Sequence, residues 1–290
     1  MDIGFLKSLL AVVETGSIAA AARQQNLSSA AVSQRIRVLE QDFGCTLLNR
    51  SAHTASPTSE CLRLLPDAGR LVREAERLVG SVDPTGLSGG FRLGAISTVL
   101  FDILPDVIQG FGYKAPRADL RVLPGSSKEL YARVEAGDLD AALVVDPPFS
   151  PSKSMLLDPL VKQPFAHILP KTMEADSVSS LPWIIYDRSS WGGRLANKAL
   201  ARQISGSRIL CELDSPETIA LMVEKGAGQA ILPVWNDMEK HYPGMMVCPF
   251  QGNESIQRDI VFVRRAENGG DPKSVLIWEL AHRSARTSSK

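Results

Sequence analysis

The chain has 290 residues, 44% of them hydrophobic and 22% charged, with 32 basic side chains against 32 acidic ones. That is length for about two domains at ~150 residues each, with an ordinary globular composition, and a neutral balance that by itself announces no nucleic-acid partner. The four cysteines (Cys45, Cys61, Cys211 and Cys248) form no C-x-x-C pair and have no cluster of histidines beside them, which argues against a zinc site or a disulfide framework and fits a reducing cytosol. The run Leu6–Val13 resembles a secretory apolar segment only faintly, since Asp2, Lys7 and Glu14 interrupt it, and no stretch approaches the ~18 apolar residues of a membrane span. A cytoplasmic protein with no membrane partner is expected.

Residues 1–58 show short helical periodicities broken at Gly16, Asn26 and Gly44. Phe5, Leu9, Val12 and Val13 share one face of a first helix. Gly16 ends it, and Ser17 caps a second helix whose small residues Ala19–Ala22 allow close packing. Gln25-Asn26 stops that helix, Leu27 plugs the turn, and Ser28 caps a third helix running to about Phe43. On the third helix Val32, Ile36 and Leu39 point inward, while Ser29, Ala30, Ser33, Gln34 and Arg37 face out. Gly44–Arg50 reads as a turn into a strand, and Pro57-Thr58 leads back out of a second one. This is the layout of a winged helix-turn-helix: short polar groups admit the third helix to a major groove, Gln34 suits an adenine edge and Arg50 suits a phosphate. A plain three-helix bundle fits the same periodicity. Five basic and four acidic side chains in this segment do not separate the two readings.

Residues 59–82 form one longer amphipathic pattern carrying Leu62, Leu65, Leu71, Val72 and Leu78, either packed on its own domain or pairing with a second copy. Asp83–Gly90 is a breaker-rich linker. From Phe91 strands and helices alternate, which predicts an α/β domain. Strands are expected at Phe91–Ile96, Arg121–Leu123, Ala141–Val145, Trp183–Tyr186, Arg208–Glu212, Ala230–Pro233 and Arg258–Arg264, with helices near 99–112, 128–136, 194–202, 216–225 and 272–286. No G-x-S-x-G, Walker A, H-E-x-x-H or G-x-G-x-x-G occurs, and His53, His167, His241 and His282 are dispersed, so no enzyme and no cofactor are expected.

The ordered run Phe5, Val12-Val13-Glu14, Gly16-Ser17, Ala20-Ala21, Leu27-Ser28, Ala31–Ile36, Leu39-Glu40, Gly44, Leu47-Leu48, Arg50 and Pro57-Thr58 resembles the DNA-binding domain of LysR-type transcriptional regulators. Looser likeness continues through Leu104-Pro105, Gly137–Val144 and Gly226–Pro233, so it covers nearly the whole chain. The resemblance implies an all-α winged helix-turn-helix over 1–58, a dimerisation helix and hinge over 59–90, and an effector-binding domain over 91–290 built of two α/β subdomains, similar to periplasmic binding proteins. Subdomain one would be 91–160 with 268–290 and subdomain two 161–267, the chain crossing near Leu160–Gln163 and Arg265–Gly269. The implied partners are double-stranded promoter DNA, a small-molecule effector and further copies of the chain, as homodimer or homotetramer.

The candidate DNA contacts are Ser29, Ala30, Ser33, Gln34, Arg37, Arg50 and His53. The candidate effector contacts, at strand ends and helix N-termini, are Ser97, Thr98, Ser126, Ser127, Asp146, Tyr186 and Arg194. Ser29-Ala30 stands where the family often has Gln-Pro, the wing Arg50–Thr54 is poorly basic, and Cys61 replaces a usual Gly; these departures imply a head that binds DNA weakly alone and depends on oligomerisation. The alternatives are a redox-sensing regulator of the same fold acting through Cys211 and Cys248, and a small-molecule-binding protein that leaves DNA alone.

Overall fold

In the computed structural model, which describes residues 2–51, 54–171, 180–200, 208–249 and 256–287, the first helix α1 (Ile3–Thr15) begins where Asp2 accepts a bond from the Gly4 N–H at 2.6 Å. It ends at Gly16, left-handed at φ 67°, where a side chain would be strained. Ser17 and Ser28 accept from the N–H groups of Ala20 and Ala31 and so start α2 (Ile18–Gln24) and α3 (Ser29–Phe43). Val32, Ile36 and Leu39 of α3 are fully buried against Leu6, Leu9, Val12 and Ala21. Under this apolar layer lies a polar knot. The Ser8 hydroxyl, fully buried, meets Gln25 Oε1 at 2.8 Å and receives Arg35 Nη1 at 3.1 Å, tying the three helices together.

A two-stranded wing follows, β1 (Leu48–Arg50) antiparallel to β2 (Ala55–Pro57), with Leu48 and Ala55 turned into the core. Next comes α4 (Ser59–Ser81). Its positions Leu64, Ala68, Leu71, Ala75 and Leu78 alternate in steps of four and three, a heptad seam. Cys61, Ala68 and Val72 are buried in the core of the head, whereas Leu71 and Leu78 are 40% and 69% exposed. The N-terminal unit therefore runs to Pro84. The helix expected as a separate linker from residue 59 completes the head's core.

The second unit, from Thr85, opens with parallel strands and covering helices: β3 (Ser88–Ala95), α5 (Ser97–Asp102), α6 (Leu104–Lys114), β4 (Arg117–Pro124), α7 (Ser127–Glu135) and β5 (Ala141–Val145). The single helix expected near 99–112 is two helices meeting at Ile103, because Pro105 sits in the first turn of α6. Then β6 (Met155–Pro170) runs for 16 residues. It is followed by β7 (Trp183–Tyr186), α8 (Trp191–Leu200), β8 (Ile209–Leu213), α9 (Pro216–Glu224), β9 (Ala230–Pro233), α10 (Met238–His241), β10 (Met245–Pro249), β11 (Gln257–Arg265) and α11 (Pro272–Thr287).

Two cores result. One contains β3, β5, β11, α6, α7 and α11; the other contains β7, β9, α9 and the C-terminal half of β6. The long β6 links them: Met155–Pro164 pairs with β11, then Phe165–Pro170 pairs with β9 and β10. The first crossing thus lies just after the expected Leu160–Gln163. The second is displaced. β11 lies between β5 and β6 and buries Ile260, Phe262 and Val263 in the first core. The chain has returned before Gln257, not at Arg265–Gly269, and the boundary of subdomain two at 267 is corrected accordingly.

His167 on β6 stacks on Trp183, ring centroids 5.2 Å apart, and its Nε2 meets Gln229 Oε1 at 2.8 Å. Gln229 Nε2 donates to the Leu181 carbonyl, so Oε1 faces the imidazole and His167 Nε2 carries the proton. Burial holds the pKa of His167 below the ordinary 6.5. Below about pH 6.5 the unfolded chain therefore takes up a proton that the folded chain refuses, and acid destabilises the fold. Urea titrations should show stability falling between pH 7 and 5.5 by at most ~1.4 kcal/mol per pH unit from this residue, and His167→Phe should flatten that slope.

Candidate functional site

On the head, Ser29, Ala30, Gln34 and Arg37 are exposed along one side of α3, with Ser33 half-buried among them. Arg35 points the other way, into the polar knot and over the Phe5 ring at 5.8 Å. Arg50 is less free than its place on the wing suggests. Its Nη2 is 2.9 Å from Glu40 Oε2, and Glu40 Oε1 also accepts from the Leu47 and Leu48 N–H groups at 3.0 and 3.3 Å. One carboxylate thus seats the wing on α3. His53 lies outside the described residues.

In the second unit a cavity of about 230 Å³ opens between the two cores. It has room for several waters, and so for a small metabolite. Ile96, Ser97, Thr98, Pro124, Gly125, Ser126 and Ser127 wall it on one side, and Tyr186, Ser190, Gly192 and Asp214 on the other, with Arg258 between and with Trp191 of α8 packed into the first core against Tyr131 and Phe149. Arg258 is only 1% exposed. It donates through Nε to Gln163 Oε1 at 2.8 Å, through Nη1 to the Tyr186 hydroxyl at 3.2 Å and through Nη2 to Thr98 Oγ1 at 2.8 Å. Burial pushes its pKa down and that of Tyr186 up. The phenol stays neutral, while a guanidinium keeps its charge at any physiological pH.

The hydroxyls differ in how they are used. Ser126 caps α7 by accepting from the Glu129 N–H, and Ser127, buried, accepts from the Val145 N–H at 3.1 Å. Ser190 accepts from the Gly193 N–H at 3.0 Å at the start of α8. Gly193 must be glycine, because a Cβ there would collide with the Asp187 carbonyl. Asp214 stands at the rim, its carboxyl raised by desolvation first and by repulsion from Asp187 second.

Comparison with known proteins places this arrangement. Residues 3–62 match the model of the bacterial regulatory helix-turn-helix proteins of the lysR family, and residues 84–286 match that of the LysR substrate binding domain. The chain belongs to the LysR family. It is 29% identical over 243 residues to the probable HTH-type transcriptional regulator LrrA of Synechococcus elongatus, spanning 80% of this chain and 81% of that protein. It is 30% identical to a probable hydrogen peroxide-inducible genes activator of Mycobacterium avium, over 64% of this chain and 62% of that one. Among solved structures, the CbnR–target DNA complex is 19% identical with a TM-score of 0.68, covering 98% of this chain and 100% of that one. A full-length OxyR variant from Pseudomonas aeruginosa is 20% identical with a TM-score of 0.69, covering 99% and 98%. At these identities the structural likeness concerns the fold.

Within this LysR frame, the cavity gathers Ser97, Thr98, Ser126, Ser127 and Tyr186 from the sequence-derived candidates. Asp146 and Arg194 are exposed and do not line it. Asp146 instead bonds through its backbone to Asp259, and Arg194 continues α8 outward. Arg258 escaped notice because, in a strand of alternating charged and apolar residues, nothing in the sequence says which charge faces inward. Cys211 and Cys248 lie on β8 and β10, which are separated by β7, β9 and β6. Four strand spacings of ~4.8 Å put them about 19 Å apart, far beyond the ~7 Å Cα limit for a disulfide.

Among the described residues no single helix is long and apolar enough to cross a membrane. The bent pair α1 and α2 passes that test only jointly, and its apolar faces form the core of the head. Glu40 offers a direct check on how the wing is held. Glu40→Ala removes the acceptor of two backbone N–H groups and should cost the head about 1–3 kcal/mol by chemical denaturation, whereas Arg50→Ala, deleting a partly exposed partner, should cost less than about 1 kcal/mol.

Proposed function

We propose that this LysR regulator acts by binding rather than by catalysis, in the cytoplasm, with the exposed side of α3 reading promoter DNA and the cavity beside Arg258 taking the effector. The observation that carries this reading is the pairing, in one chain, of a solvent-facing α3 with a cavity walled by both α/β cores and closed by a buried cation. Ser29, Ala30, Ser33, Gln34 and Arg37 are the groove-facing set. Gln34 is suited to a base edge and Arg37 to a phosphate. Arg50 acts mainly through Glu40 in positioning the wing. The helix-turn-helix family match over residues 3–62 supports assigning DNA binding to this half, and CbnR, a neighbour in fold, has been solved in complex with its target DNA.

The seam of α4 at exposed Leu71 and Leu78, with half-buried Ala75 between them, is where a second copy would pack, and two heads then multiply a modest affinity for two half-sites. An effector that bonds differently to the two walls of the cavity would bias the angle between them, and through it the spacing of the heads. A thiol-based peroxide response is the second reading, favoured by the mycobacterial relatives. On Cys211 and Cys248 it would work through single thiols, given their separation. A peroxide response in wild type that is lost on changing both to Ser would establish it; the same response retained would sink it.

Fluorescence anisotropy with a labelled fragment of the chain's own promoter tests the DNA face. Gln34→Ala should weaken binding about tenfold to a hundredfold, the worth of one bidentate base contact, and Arg37→Ala should lower the salt dependence of binding by about one phosphate's share. Unchanged affinity in both variants would remove α3 as the reading helix. For the seam, sedimentation should show Leu71→Asp with Leu78→Asp shifting the assembly toward smaller species while the melting temperature of the head is kept.

A further inference from the structure

Arg258 is the largest fully buried side chain among the described residues, and every oxygen it bonds to is neutral. Asp214 and Glu217 act on it only through space. A guanidinium has five N–H donors. Gln163, Tyr186 and Thr98 take three of them, which leaves two N–H groups on a side chain that lines the cavity. Natural proteins rarely bury a charge without an opposite one against it.

Apart from Asp214, the rest of the wall has the same sign. The nine-residue α7 and ten-residue α8 both begin at this cavity, capped by Ser126 and Ser190. Each brings roughly half a positive charge to its N-terminus. Among the described residues of the lining, Arg258 is the one cation and Asp214, at the rim, the one carboxylate. One guanidinium suits one carboxylate in a forked pair, and Asp214 repels a second anionic group. Ile96, Pro124 and Trp191 offer an apolar surface to the remainder of a ligand.

We infer that the effector is a small organic monocarboxylate, its carboxylate paired with Arg258 and its apolar body against Trp191. This rests on the reading of the cavity as the effector site. In the free protein Arg258 spends its donors on Thr98 from one wall and Tyr186 from the other. A carboxylate that takes the remaining N–H groups loads a side chain that also bonds to both walls, so recognition and the response to it share one side chain.

The full chain can be tested with matched acid and amide pairs, butyrate against butyramide and benzoate against benzamide, with succinate and inorganic phosphate as dianionic and multiply charged controls. Thermal shift reads binding, and Trp191 emission, identified by its loss in Trp191→Phe, reads the place. The expected result is that the acids bind at least about tenfold more tightly than their amides and than succinate or phosphate, with a Trp191 signal. Arg258→Gln should weaken the acids about a hundredfold and Arg258→Lys, which keeps charge but not the fork, about tenfold. The acid–amide comparison is made on wild type and does not depend on either variant folding. Amides or phosphate binding as tightly as the acids, with a Trp191 signal, would overturn the carboxylate assignment and leave the cavity as the effector site. Acids binding without a Trp191 signal and equally to Arg258→Lys would overturn the cavity reading itself. Silence from the whole panel would also count against the inference.

Discussion

Taking a guanidinium out of water costs several kcal/mol even after the surroundings relax, and Arg258 bears that cost with three neutral oxygens for company. Those oxygens come from α5, β6 and β7, that is, from both α/β cores and from the strand that joins them. The arrangement requires β11 to sit beside β6 just where β6 changes partners. It also requires Tyr186 to end β7 with its ring held inward over Gly192. A wall made in this way is polar and short of negative charge, which is what a site for a small anion needs.

The head obeys a comparable economy of means. Glu40 serves two backbone N–H groups and Arg50 at once, so the wing is held by a residue of α3 rather than by its own short ladder. That leaves few cations for phosphates, in keeping with a segment that carries almost no net charge. Affinity must then come from presenting several heads together. The division of α4 suits this: Cys61, Ala68 and Val72 complete the core of the head, while Leu71 and Leu78 continue the seam into solvent.

Much of this could be read from residues alone where local physics decides. Ser17, Ser28, Gly16 and Gly44 mark helix ends through caps and left-handed turns that tolerate few substitutes, and the i, i+4, i+7 spacing of Val32, Ile36 and Leu39 allows one inward face. The long strand β6 was hidden because Pro159, Pro164 and Pro170 read as breakers. They are accommodated by a register shift opposite Ile260-Val261 and by the change of partner at Pro164-Phe165. The true side of β11 was hidden because chain order put it within subdomain two, whereas pairing with β5 pulls it back. Arg258 follows from that: only once β11 is in the first sheet does its first charged residue face the cavity.

Hydrogen–deuterium exchange, comparing wild type with Arg258→Gln, tests most directly whether this one side chain holds the two walls. The account predicts faster exchange in the segments 96–102 and 186–193, one from each wall, with the helices of the head unchanged. Unaltered exchange in both segments would contradict it.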